Sequence, residues 1–73
     1  MAFQKRIAVL GSTGSIGIQT LDIIRKYPGF FKAQILTARS SSDLLIRQAL
    51  EFQPEAVVVT SRDAWQVVRD ALE

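Results

Sequence analysis

Residues 7–17 read IAVLGSTGSIG, an unbroken apolar run followed by three glycines spaced three apart. A continuous apolar run of this kind is typical of a parallel β-strand that is covered on both faces. From Ser15 to Lys26 the apolar residues recur at helical spacing. We expect four residues to form the buried stripe of that helix: Ile16, Leu21, Ile23 and Ile24. These residues therefore predict a strand, a glycine-rich turn and an amphipathic helix.

The rest of the chain continues this alternation. Pro28 and Gly29 end the first helix, and further strands are expected at residues 33–38 and 56–60. Helices are expected from the polar loop at 39–42 up to Pro54, and from residue 62 to about residue 72. The order βαβαβα predicts an α/β fold with parallel strands and right-handed crossovers. Specifically, we expect half of a three-layer, Rossmann-like parallel sheet with strand order 3-2-1. We expect Phe30, Phe31 and Phe52 to lie in the core, and Trp65 to be a core or half-exposed packing residue.

The glycine turn has the composition of a phosphate-binding turn. Backbone N–H groups at a helix N-terminus attract anions, and glycine permits a tight turn and a close approach of the phosphates. Gly11 would form the turn, Gly14 would admit a pyrophosphate and Gly17 would allow the helix to pack against the sheet. Thr13 and Ser15 add hydroxyl donors. The alternative is a glycine-rich turn that binds no ligand, whereas a P-loop is excluded because no Gly-Lys-Ser/Thr follows.

The end of the second strand indicates which dinucleotide would bind. NAD-binding units usually carry an acidic residue there, which holds the ribose 2′-hydroxyl. This chain has Arg39, Ser40 and Ser41 instead. A guanidinium and neighbouring hydroxyls suit a 2′-phosphate, which favours NADP(H) over NAD(H). The alternative is that Arg39 is a solvated loop residue and that the serines only cap the next helix.

Composition narrows the possible functions. The 73 residues contain no Cys and no His, and the formal net charge is +2 without a basic run. That pattern argues against a nucleic-acid or membrane surface, and no apolar stretch could span a bilayer. With no signal peptide evident, we expect a cytoplasmic protein. No carboxylates are paired for metal binding, and no nucleophile has a base beside it, so the sequence offers neither catalytic nor metal-ligating residues.

The glycine motif, together with the residues between its glycines, resembles the N-terminus of 1-deoxy-D-xylulose 5-phosphate reductoisomerases. The resemblance rests on LGSTGSIG at residues 10–17, QTLD at 19–22 with Arg25, LTA at 36–38, Leu44-Leu45 with Gln48, and Phe52 before Pro54. It implies an oxidoreductase of non-mevalonate isoprenoid biosynthesis that makes 2-C-methyl-D-erythritol 4-phosphate. The resemblance also implies that the enzyme uses NADPH and a divalent cation, Mg²⁺ or Mn²⁺, and that it is a homodimer. By motif match, the phosphates of NADPH would contact Thr13, Gly14, Ser15 and Ile16. The adenosine ribose and its 2′-phosphate would contact Arg39, Ser40 and Ser41.

The resemblance covers only the first part of that family's chain. We therefore expect residues 1–73 to be the N-terminal part of an NADPH-binding domain, with the catalytic and C-terminal domains absent. Alone, this segment should be inactive, and the open edge of its first strand should promote self-association. The phosphosugar substrate and the divalent cation would be bound only by the full-length enzyme. The alternative is a stand-alone nucleotide-binding or interaction module that shares the turn.

Overall fold

The computed structural model describes residues 4–72 of the chain. Three strands alternate with three helices: β1 (Lys5–Val9), α1 (Ser15–Lys26), β2 (Phe31–Ala38), α2 (Ser42–Phe52), β3 (Ala56–Val59) and α3 (Arg62–Leu72). The strands form one parallel sheet in the order β1-β2-β3. The predicted α/β fold, its βαβαβα order and its sheet order are thus confirmed.

Strand β2 contains a one-residue bulge. Ile7 pairs with Ala33, but the next residue of β1, Ala8, pairs with Ile35, so Gln34 is an extra residue on β2. A bulge of this kind interrupts the alternation of side chains between the two faces of a sheet. As a result, Ala33 and Leu36 both lie in the core although three positions separate them.

The helices pack against one face of the sheet. Buried side chains from all three helices join the inward-facing strand residues in a single core: Val9, Leu21, Ile24, Ala33, Leu36, Ala38, Leu45 and Val68. On the other face, Ala8, Ala56 and Val58 are exposed. Residues 4–72 therefore supply two of the three layers of a Rossmann-like domain, namely the sheet and one helical layer. None of the helices in this range is long and apolar enough to cross a membrane.

Some of the expected core residues are exposed instead. The buried stripe of α1 runs through Gly17, Leu21 and Ile24, which follow the i, i+4, i+7 spacing of one helix face. Ile16 and Ile23 each precede a stripe residue by one position, and their side chains are 80% and 52% exposed. Phe30 is also 63% exposed because it lies in the turn before β2. The expectation that these three residues are buried was wrong.

Candidate cofactor-binding site

The glycine turn joins the carboxyl end of β1 to the N-terminus of α1. Gly11 adopts a φ of +71°, a left-handed conformation that residues with a Cβ rarely adopt. The N–H of Gly14 donates to the Gly11 carbonyl at 3.0 Å, which closes the turn. Gly14 is then the N-cap of α1, and its carbonyl accepts the N–H of Ile18 at 2.9 Å. The predicted role of Gly11 in shaping the turn is therefore visible in the backbone.

Gly17 allows the first turn of α1 to lie directly against this loop. A Cβ at position 17 would be 2.1 Å from the Gly11 carbonyl oxygen and 2.6 Å from the Cα of Ser12. Both neighbours are backbone atoms, which cannot rotate away as a flexible side chain would. By contrast, a Cβ at Gly14 would meet only the Gly11 oxygen, at 3.5 Å. The close packing expected at Gly17 is thus present, and Gly14 has no comparable packing requirement.

The N-terminus of α1 is electrostatically suited to an anion. No side chain caps it, and its first turn contains no acidic residue. The first turns of α2 and α3, in contrast, contain Asp43 and Asp63. The first N–H groups of a helix lack intrahelical acceptors and carry the positive end of the helix dipole. Ser15 and Ile16, whose N–H groups begin the helix, are both exposed, so a phosphate can approach this end of α1; Gly14 is also exposed, but its N–H already donates to the Gly11 carbonyl.

Two side chains outside the turn fix its position. The N–H of Gly11 donates to Oγ1 of Thr37 at 2.8 Å, and the N–H of Ser12 donates to the Thr37 carbonyl at 2.8 Å. From α2, Nε2 of Gln48 donates to the Ser12 carbonyl at 2.8 Å. Ser12 itself is completely buried. No role for Ser12, Thr37 or Gln48 was predicted from the sequence; the available signal was a glutamine within the apolar stripe of α2.

The loop after β2 lies at the same edge of the sheet as the glycine turn. Thr37, which holds the turn, precedes Arg39 by only two residues. The Arg39 carbonyl accepts the N–H of Ser61 at 2.9 Å, so the loop backbone is held by the start of α3. Arg39, Ser40 and Ser41 are all exposed, and Arg39 forms no ion pair within residues 4–72. Ser41 occupies the N-cap position of α2, but its side chain makes no capping hydrogen bond.

Asp22 of α1 and Glu51 of α2 form an ion-pair network with Arg25. Arg25 pairs with Asp22 on its own helix and donates from Nη2 to Oε1 of Glu51 at 2.9 Å. The guanidinium also lies over the ring of Phe52, 5.2 Å from its centroid. The hydrogen bond from Arg25 lowers the pKa of Glu51, and the same bond raises the pKa of Arg25. This network ties the two helices together.

No group of three or more potential metal-ligating side chains occurs in the part of the chain that the structure describes. Asp22 is exposed and paired with Arg25. The exposed polar side chains near the glycine turn include the hydroxyls of Ser15, Ser40 and Ser41 and the guanidinium of Arg39.

Comparisons with known proteins identify the family. Residues 7–73 match the family model for 1-deoxy-D-xylulose 5-phosphate reductoisomerase. The chain belongs to this reductoisomerase family. It is 52% identical over 69 residues to the reductoisomerase of Porphyromonas gingivalis and 46% identical to that of Bacteroides thetaiotaomicron. Each match covers 94% of this chain but only 18% of the relative, so the chain spans about one-fifth of the reductoisomerases that it matches.

A solved structure agrees with the family assignment. The fold is similar to that in a crystal structure of DOX-P reductoisomerase in complex with magnesium, with a TM-score of 0.82 and 40% sequence identity. The similarity covers 94% of this chain and 18% of the reductoisomerase chain. The resemblance noted from the glycine motif is therefore confirmed, and the half-domain fold is one that this family contains.

Proposed function

We propose that this chain is the NADPH-binding segment of a reductoisomerase that converts 1-deoxy-D-xylulose 5-phosphate to 2-C-methyl-D-erythritol 4-phosphate. The observation that carries the proposal is the uncapped, acid-free N-terminus of α1 behind the glycine turn. In a member of this family, that arrangement fits the pyrophosphate of a dinucleotide. When bound, NADPH supplies a hydride, and the residues of this chain bind and orient the cofactor.

The pyrophosphate would be held by Thr13, Gly14, Ser15 and Ile16. Thr13, Ser15 and Ile16 would contribute backbone N–H donors, and Thr13 and Ser15 would add their hydroxyls. Gly14, whose N–H donates to the Gly11 carbonyl, would let the phosphates approach closely. Gly11 gives the turn its shape. Ile16 suits this role better than a role in the core because its side chain is 80% exposed.

The 2′-phosphate of NADPH would be held by Arg39, Ser40 and Ser41. The three residues are exposed beside the glycine turn, and the Ser41 hydroxyl is not used to cap α2. A guanidinium binds a phosphate through charge-assisted hydrogen bonds, and no acidic residue within this loop would repel it. This arrangement supports NADPH rather than NADH as the cofactor.

The remaining requirements of the reaction fall to the rest of the enzyme. We assign no catalytic residue and no metal ligand to residues 4–72, and we place the phosphosugar substrate and a divalent cation, Mg²⁺ or Mn²⁺, at residues of the larger protein. We also propose that the enzyme acts in the cytoplasm and that the segment alone has no activity.

A cofactor-preference experiment tests the proposal. The variant Arg39→Asp would place a carboxylate beside the 2′-phosphate, whereas Arg62→Asp makes the same change at an exposed position in the first turn of α3. We expect Arg39→Asp to lower the ratio of NADPH to NADH affinity by about 10-fold or more, since a charged hydrogen bond is lost and a repulsion is added. Titration of both cofactors by fluorescence measures the ratio. An unchanged ratio in Arg39→Asp would refute the assignment of the loop, and absence of NADPH binding by the unmodified enzyme would refute the function.

A further inference from the structure

The side chain of Gln48 is an unusual feature of the core. It lies on α2, is only 6% exposed, and reaches the glycine turn by donating from Nε2 to the Ser12 carbonyl. Its other polar atom, Oε1, is buried without a hydrogen-bond partner. A buried acceptor that lacks a partner is unfavourable for folding, and it offsets what the single hydrogen bond contributes. A methionine of similar length would remove this unpaired oxygen, but it would leave the buried Ser12 carbonyl without the Gln48 donor.

The geometry of the Ser12–Thr13 peptide indicates a second consequence of the Gln48 hydrogen bond. A peptide unit is planar and trans, so its C=O and its N–H point in opposite directions. Gln48 holds the Ser12 carbonyl toward α2. The N–H of Thr13, in the same peptide plane, is thereby directed away from α2. The N–H of Ser12, which belongs to the preceding peptide unit, donates to the Thr37 carbonyl. Both peptide units that flank the Ser12 Cα are thus held by groups outside the turn.

We propose that Gln48 is a positioning residue that orients the Thr13 N–H, through the Ser12 carbonyl, toward the pyrophosphate of the dinucleotide. This inference rests on the proposed function and adds to it a residue of α2 that touches no part of the cofactor. Because this peptide is already held in one orientation, binding costs less conformational entropy than it would with a mobile turn.

The test compares the affinities of two ligands for the protein. The protein is used as it is encoded, with any sequence that adjoins residues 1–73. NADPH carries a pyrophosphate, whereas adenosine 2′-monophosphate carries only the ribose phosphate that the Arg39 loop would hold. The variant Gln48→Met keeps the length of the side chain and removes the donor. Gln19→Met, at an exposed position of α1, is the matched control.

We expect Gln48→Met to weaken NADPH binding about 10-fold, which corresponds to the loss of one charged hydrogen bond from the Thr13 N–H to the pyrophosphate. Affinity for adenosine 2′-monophosphate should stay within about twofold, and Gln19→Met should change neither. Should Gln48→Met fail to fold by thermal melting, Gln48→Leu, which also removes the donor, takes its place. Equal losses for the two ligands would show a merely structural role and overturn the inference. Unchanged NADPH affinity would do the same while leaving the proposed function intact, whereas an unmodified protein that binds neither ligand would overturn both.

Discussion

The substitution Gly17→Ala tests how closely α1 must approach the glycine turn. The added Cβ would lie 2.1 Å from the Gly11 oxygen, so the backbone must move by about 0.9 Å even to reach the 3.0 Å below which such contacts essentially never fall. Alanine would favour the helix by about 1 kcal/mol over glycine. Overpacking costs about 1–3 kcal/mol, and the upper end applies here because the overlap is with backbone atoms. We therefore expect a net loss of about 2 kcal/mol in the free energy of unfolding.

Urea denaturation followed by the fluorescence of Trp65 measures this loss. Gly29→Ala is the first control, because a Cβ there meets nothing within 4 Å. Gly14→Ala is the second: its Cβ would make only an ordinary 3.5 Å contact, so the loss should stay within about 1 kcal/mol, the cost of alanine at an N-cap, while NADPH affinity falls. If Gly17→Ala were as stable as Gly29→Ala, the packing argument would be refuted. If Gly14→Ala bound NADPH like the unmodified protein, the approach of the pyrophosphate to Gly14 would be refuted.

Three further predictions concern the turn, the helix pair and the sheet edge. Thr37→Val removes the acceptor of the Gly11 N–H, so NADPH should bind more weakly, by about threefold to 10-fold, in a fluorescence titration; unchanged affinity would show that this bond does not hold the turn. Because Arg25 lowers the pKa of Glu51, the ionised pair stabilises the fold above the unfolded pKa of this carboxyl and is lost as the pH falls through the lower folded value. The melting temperature of Glu51→Gln should accordingly lie slightly below that of the unmodified protein at pH 7 and converge with it once the pH falls below the lowered pKa of Glu51 in the folded state; a constant difference would contradict the assignment. Finally, the free edge of β1 and the exposed face around Val58 should make residues 1–73 alone self-associate, and a concentration-independent monomer in sedimentation would count against this.

The element order could be predicted from the sequence because local signals agreed with the tertiary structure. The glycines, Pro28 and Pro54 mark the helix boundaries, and the β-branched run at 57–60 marks the last strand. Parallel pairing then followed from the alternation of strands and helices. The family could be recognised because the residues between the glycines are more specific than the glycines themselves. The cofactor contacts of Thr13 and Arg39 stay predictions, since they depend on a bound ligand.

The residues that hold the turn could not be predicted from the sequence. Gln48 and Ser12 are 36 positions apart, and nothing in either local pattern indicates that they meet. Ile16 was misplaced because apolar spacing alone does not show where a helix stripe is centred. In α1 the centre is Gly17, which has no side chain and contributes nothing to an apolar pattern. The bulge was missed for a similar reason, because residues 33–38 look like an ordinary half-buried strand.

That bulge has a consequence for length variation among related chains. Gln34 is the additional residue, and its side chain donates to Oε2 of Glu55 at 2.9 Å rather than entering the core. Without it, Phe31, Ala33, Leu36 and Ala38 would fall into strict alternation and still face the helices. One residue can thus be gained or lost at this point without turning the apolar side of β2 outward or shifting Thr37 relative to the Arg39 loop. Elsewhere in the strand, the same change in length would exchange its two faces.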